Sequence, residues 1–204
     1  PLHRGPSSIN WPIIPGRTAT GLSIFVPDDG LDTGPILIQK KTPISDDDSL
    51  GSVYFDRLFP MGVEAMLEGV DLVKAGKAKP VEQDHSKATY EGWCRKAEAK
   101  ISWANHVDFV YNLVRGCNPA PGAWTTLNGK KLQIFDAKKT LFRRFADVQG
   151  KIGEVTEVTA QSFRVTAQGG TVEVLKAKFE DGKKMSGGEV AQSGGMAAGA
   201  ILGS

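Results

Sequence analysis

The loop from Asp28 to Gly34 carries the side chain that is best placed for chemistry in this sequence. It is acidic and punctuated by glycine, and it separates two apolar runs, 20–26 and 35–40, that predict buried strands covered on both faces. Loops at strand ends commonly hold site residues in open α/β sheets, and the carboxylate of Asp32 could take part in proton transfer there. Asp and Gly also favour turns for local reasons, so a structural role for Asp32 stays open.

Two motif matches in this loop fail on closer reading. The triplet Asp32-Thr33-Gly34 matches aspartic proteases, but a two-lobed protease needs a second such triplet, which the sequence lacks. The segment that starts at Asp28 also resembles a calcium loop. Gln39 stands where the bidentate Glu would be required, so the calcium interpretation fails.

The histidines and cysteines predict neither a metal site nor a disulfide framework. His3, His85 and His106 are scattered and have no partner at i, i+4. Cys94 and Cys117 form no C-x-x-C pair, and two cysteines cannot build a zinc ribbon. We therefore expect both cysteines to be small buried apolar residues.

The first half of the chain predicts the elements that would position the acidic loop. After its two strands, apolar residues three or four apart over 50–73 predict an amphipathic helix, which Pro60 should kink or divide and Gly76 should end. We interpret Asp46–Asp48 as capping and solvation of this helix rather than as a metal cluster. The apolar period fails after Gly76, which predicts a linker over 77–100.

The second half predicts one helix followed by short strands. Asn105 should cap a helix through Arg115, and Asn128-Gly129 predicts a hairpin between strands 123–127 and 130–135. Further alternating runs predict strands over 152–159, 162–167 and 171–178. Five or more short strands at this spacing close most naturally into a small barrel over 101–190. The Gly/Ala-rich residues 191–204 predict a flexible, poorly packed tail.

Charge divides the chain unevenly. Residues 1–94 hold 9 Lys and Arg against 13 Asp and Glu, whereas residues 95–184 hold 16 against 9. A basic module of this kind suits a polyanion such as a nucleic acid. A lysine-rich solvated surface explains the same count, so both interpretations stay open.

The ends of the sequence bear on localisation and completeness. No stretch approaches the ~20 consecutive apolar residues of a membrane span, and no signal peptide is present, which predicts a soluble cytoplasmic protein. The chain starts with Pro1 in what reads as the middle of a loop. We therefore expect a fragment or a processed product.

Three segments resemble the formyltetrahydrofolate-dependent formyltransferases. The start, 1–5, is similar to the end of the family's Asn-x-His…Ser-Leu-Leu-Pro-x-x-Arg-Gly motif. The stretch 20–34 resembles its Thr-Gly-strand-Leu-Asp-Thr-Gly segment. Ile101-x-Trp103 and the Arg-x-x-Asn-Pro-x-Pro-Gly-Ala-Trp string over 115–124 are similar to the entry into its C-terminal domain.

This resemblance implies a fold and a set of site residues. The fold is α/β, with the C-terminal portion of a Rossmann-like formyltransferase domain over 1–76 and a small OB-like β-barrel domain over 101–190. The family's site is formed by an Asn, a His and an Asp, and Asp32 is the counterpart of that Asp. It would orient and help protonate the His while an amine attacks the formyl carbon, with the Asn and His stabilising the oxyanion.

The resemblance also implies how the substrates are held. The formyl donor would be 10-formyltetrahydrofolate, with no metal. Its pterin pocket would be lined, largely through backbone groups, by Pro1, Asp28, Asp29, Gly30, Leu31 and Asp32. Arg4 would shape the loop or meet an anionic substrate. Because the Asn and His would lie upstream of Pro1, we expect the polypeptide as written not to catalyse formyl transfer alone.

The formyl acceptor in this family can be methionyl-tRNA, a nucleotide amino-sugar or water. The strings over 7–11 and 89–92 resemble the branch that hydrolyses 10-formyltetrahydrofolate, as in the hydrolase domain of formyltetrahydrofolate dehydrogenase. The basic second half suits a tRNA-binding C-terminal domain better, and a chain that stops after the barrel argues against a fused dehydrogenase. We therefore predict formyl transfer to methionyl-tRNA, with hydrolysis and sugar formylation as alternatives.

Overall fold

Two antiparallel strands and a long helical run form the part of the molecule that positions Asp32. The computed structural model describes residues 2–204, and it divides into two compact units, of which the first ends at Trp93 and the second begins at Cys94. In the first unit, helix α1 (Asn10–Ile13) precedes strands β1 (Ala19–Phe25) and β2 (Ile36–Pro43). These strands pair from Ala19 opposite Pro43 to Phe25 opposite Ile36.

The first strand is less buried than its apolar run predicted. Residues along β1 alternate between exposed and half-buried, and none is fully buried within the part of the chain that the structure describes. Within residues 2–204, β1 is therefore not covered on both faces. Leu22 of this strand packs against an apolar cluster formed by Ile13, Ile44, Val53 and Leu58.

The predicted amphipathic helix is present, and Pro60 changes its hydrogen bonding without breaking it. The run consists of α2 (Leu50–Ser52), a π-helical segment (Val53–Leu58) and α3 (Phe59–Lys74). Phe59 N–H donates to the carbonyl of Tyr54, and Pro60 then falls in the first turn of α3. A residue in the first turn of a helix needs no amide donor, which is why proline is tolerated there.

The start of this helical run combines a cap with a buried ion pair. Ser49 caps α2, and its side chain and that of Ser52 each accept the other residue's backbone N–H. Asp48 is buried, and its Oδ2 lies 2.5 Å from Arg57 Nη2. The prediction that Asp46–Asp48 serve only capping and solvation therefore needs correction at Asp48. Burial alone would raise the pKa of Asp48, but hydrogen bonds from Arg57, Ser45 and Ser52 lower it to about 2.

The segment predicted as a linker over 77–100 is divided between the two units. Val81 exchanges two backbone hydrogen bonds with Ile36, each 2.8 Å long. Arg4 N–H donates to the carbonyl of Thr89, and Glu91 N–H donates to the carbonyl of Arg4. These backbone bonds make residues up to Trp93 part of the first unit, which therefore extends beyond the predicted boundary at residue 76.

The second unit contains one helix and an antiparallel sheet. Helix α4 (Val107–Gly116) begins one residue later than predicted, since His106 rather than Asn105 accepts the capping hydrogen bond. The strands are β3 (Ala123–Leu127), β4 (Lys130–Leu141), β5 (Val155–Val158), β6 (Phe163–Ala167), β7 (Gly170–Phe179) and β8 (Met185–Ser186), followed by α5 (Gly187–Ser193).

The sheet order is β3-β4-β7-β6-β5, with β8 paired to β7. The predicted hairpin turn at Asn128-Gly129 is confirmed, and both residues have positive φ, 50° and 75°. Strand ladders do not join β3 to β5 within residues 2–204, so the prediction that the strands over 101–190 close into a barrel is wrong as to closure.

The last residues are packed, contrary to the flexible tail predicted over 191–204. Leu202 is only 3% exposed, and its N–H donates to the carbonyl of Gly153, which precedes β5. Gly203 N–H donates to the carbonyl of Thr126 in β3. The 199–203 segment thus connects the two edges of the sheet, a long-range pairing that its Gly/Ala composition does not reveal.

The cysteines are buried, as predicted, and they contact each other. The Sγ atoms of Cys94 and Cys117 lie 3.8 Å apart. The hydrogen bond with Cys94, together with burial, raises the pKa of the Cys117 thiol. Among residues 2–204, no helix has the length and apolarity to cross a membrane, and no three His, Cys, Asp or Glu side chains are grouped so that they could hold a metal ion.

Candidate active site

The carboxylate of Asp32 is held by a backbone amide from the start of the chain. Gly5 N–H donates to Asp32 Oδ2 over 3.0 Å. Asp32 itself has a positive φ of 54°, which is uncommon for a residue other than glycine. The structure therefore places the predicted catalytic residue in a conformation that its surroundings must stabilise.

A glutamine from the predicted linker supplies part of that stabilisation. Gln83 Nε2 donates to the carbonyl of Asp32 over 2.9 Å and to the carbonyl of Gly34 over 2.6 Å. Its Oε1 accepts a hydrogen bond from Arg4 Nη2 over 2.7 Å. Gln83 thus connects the N-terminal segment to the Asp32 loop.

Arg4, predicted to shape the loop or meet an anionic substrate, is only 4% exposed. Its Nη1 donates to the Tyr90 hydroxyl over 2.6 Å, and its Nη2 lies 3.3 Å from His85 Nδ1. Its backbone joins the strand-like bridge to Tyr90. The guanidinium of Arg4 therefore binds other residues of the first unit. This favours a role in shaping the loop over a role in binding an anionic substrate.

Asp32 lies at a cleft within the first unit. The cleft has a volume of about 770 Å³, in the range of pockets that bind small molecules. Its apolar lining comes from β1 and the helical run and includes Leu22, Ile24, Phe25, Phe59, Val63 and Met66. Asp32 and Gln83 are among the polar groups that face it, as are Ser8 and Ser23.

Four other residues predicted for the pterin pocket are not part of the lining of this cleft. Asp28, Asp29, Gly30 and Leu31 are exposed and do not line this cleft. The side chain of Asp28 is used locally, since its Oδ1 accepts hydrogen bonds from the Thr33 hydroxyl and from Gly30 N–H. The hydrogen bond from Thr33 is the main reason why the pKa of Asp28 is lowered.

Pro1, the sixth residue predicted for this pocket, lies outside the described residues. Of that set, the structure therefore brings only Asp32 to the cleft, and Arg4 borders it as well.

Sequence reasoning missed Gln83, because the segment around it has no apolar period and reads as a linker. The nearest signal is the string Thr89-Tyr90-Glu91-Gly92, which resembles one branch of the family. Its members contact the N-terminal segment: Tyr90 binds Arg4, and the Trp11 indole donates to the carbonyl of Gly92 over 2.9 Å.

The basic second unit presents aromatic rings beside its cations. Lys100 and Lys131 lie 5.4 and 4.9 Å from the centre of the Trp124 ring. Phe145 is 95% exposed and directly follows Arg143 and Arg144. Side chains of this kind can stack on bases and neutralise phosphates.

Comparison with known families identifies the class of protein. The family described as "Formyl transferase" matches residues 1–70, and "Formyl transferase, C-terminal domain" matches residues 94–194. These two matches correspond to the two units of the structure. The chain belongs to the formyltransferase family.

The relatives fall into two groups. The chain is 37% identical over 203 residues to the methionyl-tRNA formyltransferase of Syntrophus aciditrophicus, a match that covers all of this chain and 64% of the relative. It is 43% identical over 137 residues to human cytosolic 10-formyltetrahydrofolate dehydrogenase, covering 67% of this chain and 15% of that protein. The chain therefore spans less than two thirds of either relative.

Solved structures share the fold at low identity. HypX from Aquifex aeolicus in complex with tetrahydrofolic acid has a TM-score of 0.76 and 20% identity, covering 94% of this chain and 33% of that one. An N-formyltransferase from Helicobacter canadensis, in complex with folinic acid and dTDP-3-aminofucose, has a TM-score of 0.66 and 19% identity, covering 85% of this chain and 62% of that one. These likenesses support a mixed α/β formyltransferase fold.

Proposed function

We propose that this chain belongs to an enzyme that transfers a formyl group from 10-formyltetrahydrofolate to an amine, with methionyl-tRNA as the acceptor. The observation that carries the proposal is the carboxylate of Asp32, fixed by Gly5 N–H at a cleft of about 770 Å³. That residue lies in the Leu-Asp-Thr-Gly string by which the chain resembles the family.

The proposal includes a more specific fold. The first unit would be the C-terminal portion of a Rossmann-like formyltransferase domain, and the second would be an OB-like barrel that its strand ladders leave partly open. The support in the second unit is the antiparallel order β3-β4-β7-β6-β5, whose edges are both hydrogen bonded to the 199–203 segment.

Asp32 is the residue of this chain that we assign to the chemistry. An amine that attacks the formyl carbon must lose a proton, and the folate nitrogen that leaves must gain one. A carboxylate held beside the reacting atoms can accept or relay that proton. Holding it in advance of the reaction also avoids the cost of ordering it in the transition state.

The residues around the cleft fit the folate substrate. A pterin ring is flat and largely apolar on its faces, and the cleft offers Leu22, Ile24 and Phe25 from β1 and Phe59 from α3. Polar groups on its edge could meet Asp32 and the serine hydroxyls. Of the acidic loop, only Asp32 is part of the cleft lining, and the pterin contacts of Asp28, Asp29, Gly30 and Leu31 through backbone groups stay a prediction.

The second unit supports tRNA as the acceptor. Its cations lie beside exposed or half-buried rings, with Arg143 and Arg144 next to Phe145 and two lysines at Trp124. The methionyl-tRNA formyltransferase similarity over 203 residues agrees with this choice. A cytoplasmic location is part of the same proposal, because charged initiator tRNA is used where proteins are made.

Hydrolysis of 10-formyltetrahydrofolate is the second candidate. Two strings that resemble the hydrolase branch, 7–11 and 89–92, contact each other through the Trp11 indole and the carbonyl of Gly92. The 43% identity to human cytosolic 10-formyltetrahydrofolate dehydrogenase also favours hydrolysis. In this reaction water would take the place of the amine, and formate would be released.

One experiment separates these candidates. The full-length protein is incubated with 10-formyltetrahydrofolate alone, with methionylated initiator tRNA, and with a nucleotide amino-sugar, and tetrahydrofolate and formylated product are measured. Turnover only with the tRNA is the expected result. Release of formate without any acceptor would establish hydrolysis instead, and failure to bind or turn over the folate in every arm would overturn formyl transfer altogether.

A further inference from the structure

We propose that Gln83 is a positioning residue for formyl transfer, and that Arg4 fixes the orientation in which Gln83 acts. This inference rests on the proposed function, in which Asp32 handles a proton of the reaction. Gln83 would act through the Asp32 loop rather than by contact with the reacting atoms.

The neighbours of Gln83 determine which way its side-chain amide is oriented, that is, where Oε1 and Nε2 lie. Both carbonyls that it contacts, those of Asp32 and Gly34, need a donor, and Nε2 has two hydrogens to give. Its Oε1 faces Arg4 Nη2, which can only donate. A flipped amide would set an oxygen against two carbonyls and an NH₂ against a guanidinium, so Arg4 selects the productive orientation.

The Asp32 loop needs such support because its backbone is strained. A residue other than glycine is uncommon at positive φ, and the φ of 54° at Asp32 persists only where the surroundings determine it. Gln83 holds the carbonyls on both sides of Thr33, while Gly5 N–H holds the carboxylate. The adjacent residues Arg4 and Gly5 thus secure Asp32 in two ways, one through Gln83 and one directly.

Arg4 is itself well anchored for this task. Its guanidinium binds the Tyr90 hydroxyl and lies 5.3 Å from the centre of the Tyr90 ring. Its backbone N–H donates to the carbonyl of Thr89. Gln83 is therefore attached to a residue that the segment 89–90 of the first unit holds in place by both its backbone and its side chain.

Two substitutions test this role in the full-length protein. Gln83→Leu removes the donors to both carbonyls and the acceptor for Arg4. Gln83→Glu has nearly the same shape and still accepts from Arg4, but as a carboxylate it cannot donate to either carbonyl. Gln39→Leu is the matched control, since Gln39 is exposed on β2 and its side chain donates to Ser23 rather than to the Asp32 loop.

The first readout does not depend on catalysis. Hydrogen exchange of the Gly5 amide, followed by NMR, reports whether Asp32 still accepts that hydrogen bond. We expect exchange to accelerate at least about 10-fold in both Gln83 variants, because the bond opens locally, and to stay unchanged in Gln39→Leu. Unchanged Gly5 exchange in a folded Gln83 variant would overturn the proposal, whatever reaction the enzyme catalyses.

The second readout distinguishes positioning from substrate binding. We expect kcat to fall about 100-fold in Gln83→Leu and Gln83→Glu, as for other small misplacements of a reacting group, while KM for 10-formyltetrahydrofolate changes less than about threefold. A loss confined to KM would overturn positioning. If Gln83→Leu does not fold, Gln83→Glu decides alone, since it keeps the contact to Arg4. Should Asp32→Asn keep full activity, the proposed function fails, and the Gly5 exchange still tells whether Gln83 holds the loop.

Discussion

Arg57, in the π-helical segment, reaches back nine residues to Asp48 and places its Nη2 2.5 Å from the carboxylate Oδ2. The same carboxylate accepts hydrogen bonds from Ser45 N–H and from the Ser52 hydroxyl. Asp48 is 7% exposed, so its charge depends on these partners. The pair ties the end of the loop after β2 to the helical run that forms one wall of the cleft.

This ion pair predicts a loss of stability in acid. The pKa of Asp48 is lowered from 3.8 to about 2, so its contribution is complete above pH 3.8 and is lost as the pH falls through about 2. The shift corresponds to about 2 kcal/mol. We expect Asp48→Asn to lower the free energy of unfolding by about that amount at pH 7 and by much less at pH 2, as measured by urea titration. Asp47→Asn, at an exposed position, is the control, and an equal cost for both variants would contradict the assignment.

Removing the charge of Asp32 should separate catalysis from folding. We expect Asp32→Asn to lower kcat of the full-length protein about 100- to 10,000-fold, the range for a lost acid or base, while thermal unfolding stays close to that of the wild type. Asp29→Asn changes an acidic residue of the same loop that is away from the cleft. It should keep nearly full activity. If kcat falls by a similar factor in both variants, the loss comes from the reduced negative charge of the loop and not from a specific role of Asp32.

The packing of the last residues predicts a stability difference between neighbouring side chains. Leu202 is 3% exposed and Ile201 is 41% exposed. We expect Leu202→Ala to lower the free energy of unfolding by about 2–4 kcal/mol, because it leaves a cavity. Ile201→Ala should cost less than about 1 kcal/mol. Denaturant titration measures both, and equal costs would show that the 199–203 segment does not cover the sheet edges in solution.

A salt titration tests the basic second unit. If the surface at Arg143 and Phe145 binds tRNA, affinity should fall steeply with salt, and Arg143→Gln should reduce the slope by about one. Phe145→Ala should weaken binding by about 1–3 kcal/mol, because it removes a stacking ring, at an unchanged slope. Lys77→Gln, in the first unit, serves as the charge-matched control. A flat salt dependence of the wild type would assign the excess charge to ordinary solvation.

Local sequence patterns predicted most elements of both units. The helical run after Ser49, the hairpin turn at Asn128-Gly129 and the later strands depend on neighbours within a few residues, and each was found. The bounds of two strands were wrong, since β4 continues to Leu141 rather than to 135 and β5 covers only Val155–Val158 of the predicted 152–159. Helix caps were predicted less accurately, since His106 rather than the predicted Asn105 caps α4. A cap depends on one side-chain hydrogen bond, which several polar residues can supply.

Hydrogen bonds between residues far apart in the sequence could not be predicted from local sequence patterns. Val81 bonds to Ile36, and Leu202 bonds to Gly153, although neither segment has an apolar period of its own. Asp32 could be selected from its loop and its family motif. Gln83 could not, because its role depends on two backbone carbonyls and an arginine that lie far from it in the sequence.

The separation of these partners along the chain has a consequence for assembly. The bonds that hold Asp32 join it to residues 27 and 51 positions away, and Arg4 meets Tyr90 across 86 positions. Closing such long loops is entropically costly, and contacts of this kind form slowly. On a ribosome, the Asp32 loop cannot take its final shape before Tyr90 has been synthesised. The carboxylate of Asp32, to which we assign the proton transfer, therefore reaches its final position only after all residues of α3 have been synthesised.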